Sequence, residues 1–208
     1  LPLLNAPTAQ GVLVVECKAA AAEIPRLGED ESYDLEISIN GARLVANSVI
    51  GVMRGLQTFA QLVTRDSVSF YLPAIQIKDE PRFAWRGLML DVSRHWMPLA
   101  VVLRNLDAMA AVKMNVLHWH VSDDQGFRVE SKLYPKLQQL GSDGNYYTQD
   151  EVRGVIAYAR DRGIRVVPEF DMPGHTSSWF AAYPEYASAP GPYKIERRLP
   201  HWYVHTWD

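Results

Sequence analysis

Cysteine is almost absent: Cys17 stands alone in 208 residues, which excludes an intrachain disulfide and a multi-cysteine zinc site and leaves the redox compartment open. Long apolar runs are missing as well. None approaches the ~18 residues of a membrane-spanning helix, and Leu1 to Gln10 has neither the basic start nor the apolar core of a signal peptide. A start at Leu1 in place of Met leaves room for a segment upstream. Positive charge is not in excess: 21 Lys and Arg face 24 Asp and Glu, a formal net charge of -3. That balance offers no basic footprint for nucleic acid or an anionic membrane, and neutral or weakly charged ligands fit it better. No internal repeat at a period of 20 to 50 residues and no low-complexity tract interrupts the chain.

What is present suffices for a core, since 48% of the residues are hydrophobic. Tyr33, Leu35, Ile37 and Ile39 alternate with polar residues up to Asn40-Gly41, and Arg43-Leu44-Val45 follows; this predicts a hairpin with one wet face and a type I′ turn at Asn40-Gly41. Behind Ser48, a suitable N-cap, Val49, Val52, Met53, Leu56, Phe59, Ala60 and Val63 recur at helical spacing. Val12 to Glu16 and Ser69 to Ile77 read as further strands. Residues 1–80 therefore read as a small α+β unit in which a helix covers one face of a sheet. Lys78-Asp79-Glu80-Pro81 is the boundary, polar and ending in proline. Beyond it strands and helices alternate: a strand from Arg86 to Val92, a helix from Leu99 to Lys113 with Pro98 suited to its first turn, and a strand from Met114 to Val121. After an excursion rich in Gly, Asp and Tyr, Thr148-Gln149-Asp150-Glu151 forms a capping box, Gly163 ends the helix it opens, and Ile164 to Phe170 is a third strand. The order β-α-β-α-β implies parallel strands joined by right-handed crossovers.

All three of these strands end in ionisable residues. The first leads to Asp91, Arg94 and His95, the second to His118, His120, Asp123 and Asp124, the third to Glu169, Asp171 and His175. Parallel strands put their carboxyl ends on one side, so these groups converge on a candidate site. A buried salt network that merely caps helices is the plain alternative for each residue taken singly. His118 and His120 share a face and could offer two imidazoles to a metal, with Asp123, Asp171 or His175 completing the set, although no third ligand sits at a motif spacing. Of Asp123 and Asp124, one is expected to face the site and the other to support backbone or a histidine. Arg94 presents a donor fork for hydroxyl pairs or carboxylates, or simply a salt bridge to Asp91 or Asp123. Pro173-Gly174-His175 sets a histidine on a tight turn where it could orient an acid. Trp85, Trp96, Trp119 and Trp179 offer faces that sugar rings stack on, with core packing the ordinary role for any one of them.

RFAWRGLMLDVSRHW (82–96), NVLHWHVSDDQGFRVE (115–130) and YYTQDEVRGVIAYARDRGIRVVPEFDMPGH (146–175) resemble, in order and spacing, the β-N-acetylhexosaminidases of glycoside hydrolase family 20. Residues 1–80, with Gly55-Leu56-Gln57-Thr58-Phe59, are similar to the α+β domain that precedes the barrel in that family. The resemblance implies a (β/α)8 TIM barrel that removes terminal N-acetylglucosamine or N-acetylgalactosamine with retention, the substrate's own 2-acetamido group serving as nucleophile. It implies that Arg94 binds ring hydroxyls and that Asp123 and His175 support the catalytic acid; His120, Asp124, Glu169 and Asp171 are further supporting candidates from their places at the strand ends. It implies no metal and no organic cofactor, N-acetylhexosamine-terminated glycans or chitooligosaccharides as partners, and a periplasmic, secreted or lysosome-like setting.

The sequence departs from that family at its centre. An Asp-Glu pair ends the family's fourth barrel strand, whereas Asp30-Glu31 precedes the hairpin here and Asp79-Glu80 lies in the linker. From Arg86 to Asp208 there are about three βα units, where a closed barrel needs eight strands and roughly 250 residues, and the tail from 199 to 208 departs from the family pattern. The expectation is a truncated hexosaminidase: an accessory domain over 1–80 and a partial catalytic barrel over 81–208, inactive alone, with an open barrel edge prone to self-association. A non-catalytic amino-sugar binder and a metal-dependent hydrolase using His118 and His120 are the competing expectations.

Overall fold

The computed structural model describes residues 12–20 and 22–196 and divides into two compact units. The first takes the chain up to Arg86 together with Asp107–Asn115 and Arg160–Arg165; the second takes Gly87–Leu106, Val116–Ala159 and the segment from Val166 onward. The tail from 199 to 208, and Leu1 to Gln10, lie outside the described residues.

In the first unit β1 (Leu13–Cys17), β2 (Tyr33–Ser38) and β3 (Gly41–Ala46) precede α1 (Val49–Gln61), and β4 (Thr64–Arg65), β5 (Phe70–Tyr71) and β6 (Ile75–Asp79) follow it. Four of the strands form a sheet in the order β1-β3-β2-β6; β4 and β5 pair separately. The alternation read along β2 has its cause here. Tyr33, Leu35 and Ile37 are buried with Leu44 and Ala46, and Val52 and Phe59 of α1 pack against them. Ser48 caps α1 as expected, its side chain accepting the Gly51 amide at 2.9 Å.

Three local expectations fail. The hairpin pairs Ser38 with Gly41, so its turn is Ile39-Asn40. The left-handed conformation that a type I′ turn needs at both central residues occurs at neither of them. It is Gly41 that has positive φ, +126°, and a Cβ there would meet the Val12 carbonyl at 2.8 Å, so glycine serves the approach of β1. Ser69 to Ile77 is two strands with Pro73 between them, where no amide is available for a ladder. Lys78 and Asp79 are not linker: they pair with Asp34 and Tyr33 at the end of β6, an edge strand on which charge is well tolerated.

The buried stripe of α1 is also not the expected one. Ile50, Gly51, Arg54 and Gly55 are buried, while Leu56 and Val63 are exposed. Gly51 and Gly55, one turn apart, let the helix lie close: a Cβ at Gly51 would stand 2.4 Å from the Ser32 carbonyl oxygen and one at Gly55 2.3 Å from Leu44. Between them Arg54 donates to Glu31 at 2.6 Å and to the Gly163 carbonyl at 2.8 Å. Glu31 also accepts from Arg86 and, at 2.9 Å, from Asn115.

The second unit is built from β7 (Gly87–Asp91), α2 (Leu99–Ala111) up to Leu106, β8 (Val116–Asp123), the short β9 (Gly126–Phe127), α3 (Lys136–Leu140), α4 (Gln149–Arg160) up to Ala159, β10 (Arg165–Phe170) from Val166 and α5 (Ser177–Ala182). The sheet runs β10-β8-β7, and β7 and β8 pair in parallel. Alternating strand and helix with a parallel pair agree with the expected α/β class. The Pro98 carbonyl accepts the first amides of α2. Two residues beyond its end Lys113 takes φ +61°, which stops the helix short of the expected limit. Thr148 and Glu151 cap α4 reciprocally, Glu151 amide to Thr148 hydroxyl at 3.2 Å and Thr148 amide to Glu151 carboxylate at 2.7 Å. Gly163, at φ +65°, follows that helix. The sequence showed neither α3 nor α5, both too short to display a period. Among the described residues no helix is long and apolar enough to cross a membrane.

Candidate active site

Asp123 ends β8, and Asp124-Gln125 turn the chain so that β9 runs back antiparallel, pairing Asp123 with Gly126. The parallel register puts Asp91 of β7 beside His120 of β8. Asp123 is 1% exposed, and both of its oxygens are used. Oδ2 lies 2.7 Å from Arg94 Nη2 and 2.9 Å from His120 Nε2; Oδ1 accepts the Asp124 amide at 2.7 Å and lies 3.2 Å from His175 Nδ1. Arg94 is itself fixed from β7, since Asp91 accepts its guanidinium at 2.6 Å and its amide at 3.0 Å. His175 reaches Asp123 from a turn in which its backbone takes φ +58°, a conformation uncommon outside glycine.

A second layer lies behind this carboxylate. His120 Nδ1 is 3.0 Å and His118 Nε2 is 2.5 Å from the same oxygen of Glu169 on β10. Burial alone would raise the Asp123 carboxyl. The His120 hydrogen bond, the Asp124 amide and the charges of Arg94 and His175 outweigh burial and hold it below the usual carboxylate range. The hydrogen bond to Asp123 raises His120 to about 9 against the opposing effect of burial, with Glu169 and Asp91 adding to the rise. Burial would raise Glu169 too, but hydrogen bonds from His120, Asp171 and His118 bring it down; Asp171, desolvated and facing the Glu169 charge, goes up.

The residues singled out in the sequence do not all come together. Arg94, His120, Asp123 and His175 share one cluster, and His118, Glu169 and Asp171 back it. Asp124 turns to the start of α5 and accepts the amide and hydroxyl of Ser177 at 2.9 and 2.7 Å. His95 is exposed. Trp119 is 1% exposed and lies with Trp96 against Tyr147, while Trp179 stands edge-on to Phe127, so these rings serve packing. Trp85 is half exposed.

Arg128 was missed. It is 5% exposed and donates to the carbonyls of Ser93, Gln125, Ser142 and Asn145, tying the loops after β7 and β8 to the excursion that follows. Gly126 leaves it room, since a Cβ there would stand 2.2 Å from its guanidinium. Position gave the only signal, an arginine two residues after a glycine in a strand-end turn. A third Asp-Glu dipeptide, Asp150-Glu151, also escaped notice; it lies in the first turn of α4, away from any strand end.

Among the described residues two groups of side chains could hold a cation by proximity: His120, Glu169 and Asp171, and Asp123, Asp124 and His175. In both, the imidazoles already face carboxylates, which suits charge pairing as well as it would suit a metal.

Residues 83–207 match the model of the glycosyl hydrolase family 20 catalytic domain. The chain belongs to this family. Residues 5–62 match a second model, described as beta-acetyl hexosaminidase like. This family 20 chain is 48% identical over 177 residues to the beta-hexosaminidase subunit beta of Mus musculus, covering 83% of the chain and 33% of that relative. Against the subunit beta of Homo sapiens it is 50% identical over 167 residues, 79% of the chain and 29% of the relative. It is similar to the crystal structure of a Flavobacterium johnsoniae chitobiase, with a TM-score of 0.87 and 51% identity over 94% of the chain and 29% of that structure. The family 20 chain thus spans about a third of the length of the curated relatives it matches.

Proposed function

We propose that this chain supplies one wall of the active site of a β-N-acetylhexosaminidase. The observation that carries the reading is the Arg94-Asp123-His175 cluster at the ends of neighbouring α/β strands in a family 20 chain. Arg94, bridged between Asp91 and Asp123, has the fixed fork that pairs of ring hydroxyls require. Asp123 and His175 stand ready to support a catalytic acid. Residues 1–80 act as the accessory α+β domain and 81–208 as the first part of the (β/α)8 barrel.

Hydrolysis would proceed with retention. The 2-acetamido group of the terminal sugar attacks the anomeric carbon, an aspartate orients it, and a neighbouring glutamate protonates the departing oxygen. The one Asp-Glu pair that ends a described strand, Asp79-Glu80, stands at the edge of the first unit's sheet, and none ends β7, β8 or β10; on this reading the catalytic pair is supplied from outside the chain. The chain alone is then expected to turn over an aryl N-acetylglucosaminide at background while retaining a weak calorimetric signal for N-acetylglucosamine. Hydrolysis well above background would show that acids within the chain, such as Glu169 with Asp123, suffice. A folded chain with no heat of sugar binding would remove the wall itself. The comparisons favour neither the non-catalytic binder nor the metal-dependent hydrolase.

The outer strands of the described sheet, β7 and β10, carry the exposed Met89 and Phe170. Association of the isolated chain through that edge is expected, and sedimentation at increasing concentration measures it.

A further inference from the structure

We propose that His120 is a positioning residue: clamped between Glu169 and Asp123, its ring fixes the orientation in which Asp123 offers one oxygen to Arg94 and the other to His175. The inference deepens the reading of the site as a hexosaminidase wall and rests on it.

The geometry starts from the ring's two nitrogens. Nε2 is 2.9 Å from Asp123 Oδ2 and Nδ1 is 3.0 Å from Glu169 Oε2. A neutral imidazole has one N–H and one lone pair, so it would turn a lone pair toward one of these carboxylates. Only the imidazolium sets positive charge against both, through the Nε2 hydrogen bond to Asp123 and, at Nδ1, a close ion-pair contact with Glu169 that lacks the alignment of a hydrogen bond. The ring is 2% exposed and cannot swing out without giving up both partners inside the protein. Asp123, equally buried, has no solvent to turn toward. Its Oδ2 is shared between His120 and Arg94, which leaves Oδ1 for the Asp124 amide and His175. Turning the carboxylate part-way about its Cβ–Cγ bond would open the contact with His175, the residue that stands toward the reacting groups in the proposed function.

The charges around His120 come from every strand of the described sheet. On β8 itself are His118 and Asp123; on β7, Asp91, with Arg94 just beyond; on β10, Glu169, with Asp171 next along the chain and His175 after it. Glu169 is the one on which the clamp depends, because it alone meets Nδ1 and also takes His118. The lowering of Glu169 by its hydrogen-bond partners and the raising of Asp171 by burial beside it agree in direction with this arrangement.

Histidine-selective 15N labelling of the whole 208-residue chain tests the proposal. In the unaltered chain His120 is expected to show both ring nitrogens protonated at about pH 7. Glu169→Gln should lower its titration midpoint by about one pH unit or more. N-acetylglucosamine titration is run alongside. Glu169→Gln should weaken binding about fivefold at about pH 8 and leave it unchanged near pH 5.5, where the ring is charged in both proteins. A purely structural loss would weaken both alike. A neutral His120 at pH 7, an unmoved midpoint, or equal weakening at the two pH values overturns the proposal. So does zinc bound stoichiometrically at His118 and His120, since a metal-bound imidazole is not an imidazolium. If the unaltered chain binds no sugar, the functional reading fails by itself and the His175 resonances replace the titration: they shift in Glu169→Gln if Asp123 has turned, and unmoved resonances overturn the proposal. Should Glu169→Gln not fold, Glu169→Asp, which withdraws the charge by one methylene, is read in the same way.

Discussion

Glu31 and Arg54 face each other at 2.6 Å with side chains only 7% and 3% exposed, an ion pair removed from water inside the first unit. Its desolvation is offset by company. Glu31 also accepts from Arg86 and Asn115, and Arg54 spends its remaining donors on the carbonyls of Arg162 and Gly163. Removing one partner strands the others, so Glu31→Ala should cost about 3–5 kcal/mol. Urea denaturation should show this as a lower midpoint at an unchanged slope. Glu31→Gln keeps the shape and one acceptor oxygen but turns the other into a donor facing the Asn115 amide, so it should cost less than Glu31→Ala and still weaken the network.

Gly51 gives a case in which propensity and packing disagree. Alanine is better than glycine inside a helix by about 1 kcal/mol, so Gly51→Ala near the start of α1 would stabilise an isolated helix. Here a Cβ would stand 2.4 Å from the Ser32 carbonyl oxygen and 3.0 Å from Ala46 Cβ, and the first of these is backbone. Overpacking typically costs about 1–3 kcal/mol and more where backbone must shift. The expected outcome is a lower melting temperature for Gly51→Ala and none of the gain that propensity alone predicts. Thermal denaturation of the single variant decides it.

The same glycines show what the sequence could and could not reveal. Period and alternation located β2, β3, α1, α2, α4 and three of the second unit's strands, β7, β8 and β10, because burial of one face leaves a pattern in residue type; the two-residue β9 is too short to show one. They placed Val52 and Phe59 correctly against the sheet but missed the most buried positions of α1, because Gly51, Arg54 and Gly55 do not look like a core until Ser32, Leu44 and Glu31 are brought against them. Asp30-Glu31 looked incidental for the same reason. Convergence at the strand ends was legible, since parallel strands impose it. That one of Asp123 and Asp124 faces the cluster while the other supports backbone was legible too; that the backbone is that of Ser177 was not, because Ser177 arrives from 53 residues away. Arg128 left only its place two residues after a glycine: a single arginine gathering four carbonyls is a property of loops in three dimensions.

Arg94 carries a test of the wall. One of its terminal nitrogens meets Asp91 at 2.6 Å and the other meets Asp123 at 2.7 Å, so the guanidinium is held flat between two carboxylates. Lysine keeps the charge but cannot bridge both and still present a planar fork. Arg94→Lys should weaken N-acetylglucosamine binding about tenfold or more, by the ordinary worth of a charge-assisted hydrogen bond pair. Calorimetric titration measures it, with melting temperature as the control for folding. Unchanged sugar affinity in a folded Arg94→Lys chain would remove Arg94 from the proposed sugar site.

The buried pair at the end of β8 also sets a pH range for stability. His120 is raised in the folded chain to about 9, against 6.5 unperturbed, so folding favours its protonated form. That stabilisation is complete below about pH 6.5 and is lost as pH rises from there through the folded value of about 9. Asp123 works from the other side. Its folded pKa is depressed, so its contribution is present above the unfolded value of about 3.9 and disappears as pH falls through the folded value. Both contributions coexist between about pH 4 and pH 6.5. The expected melting profile is a plateau in that interval and a decline toward pH 9, with an alkaline loss on the order of 3 kcal/mol at most for the rise at His120. His120→Gln should begin lower on the plateau and lose the alkaline decline. A decline that persists unchanged in His120→Gln would assign it to another group, and a profile flat to pH 9 in the unaltered chain would mean that His120 is neutral between its two carboxylates.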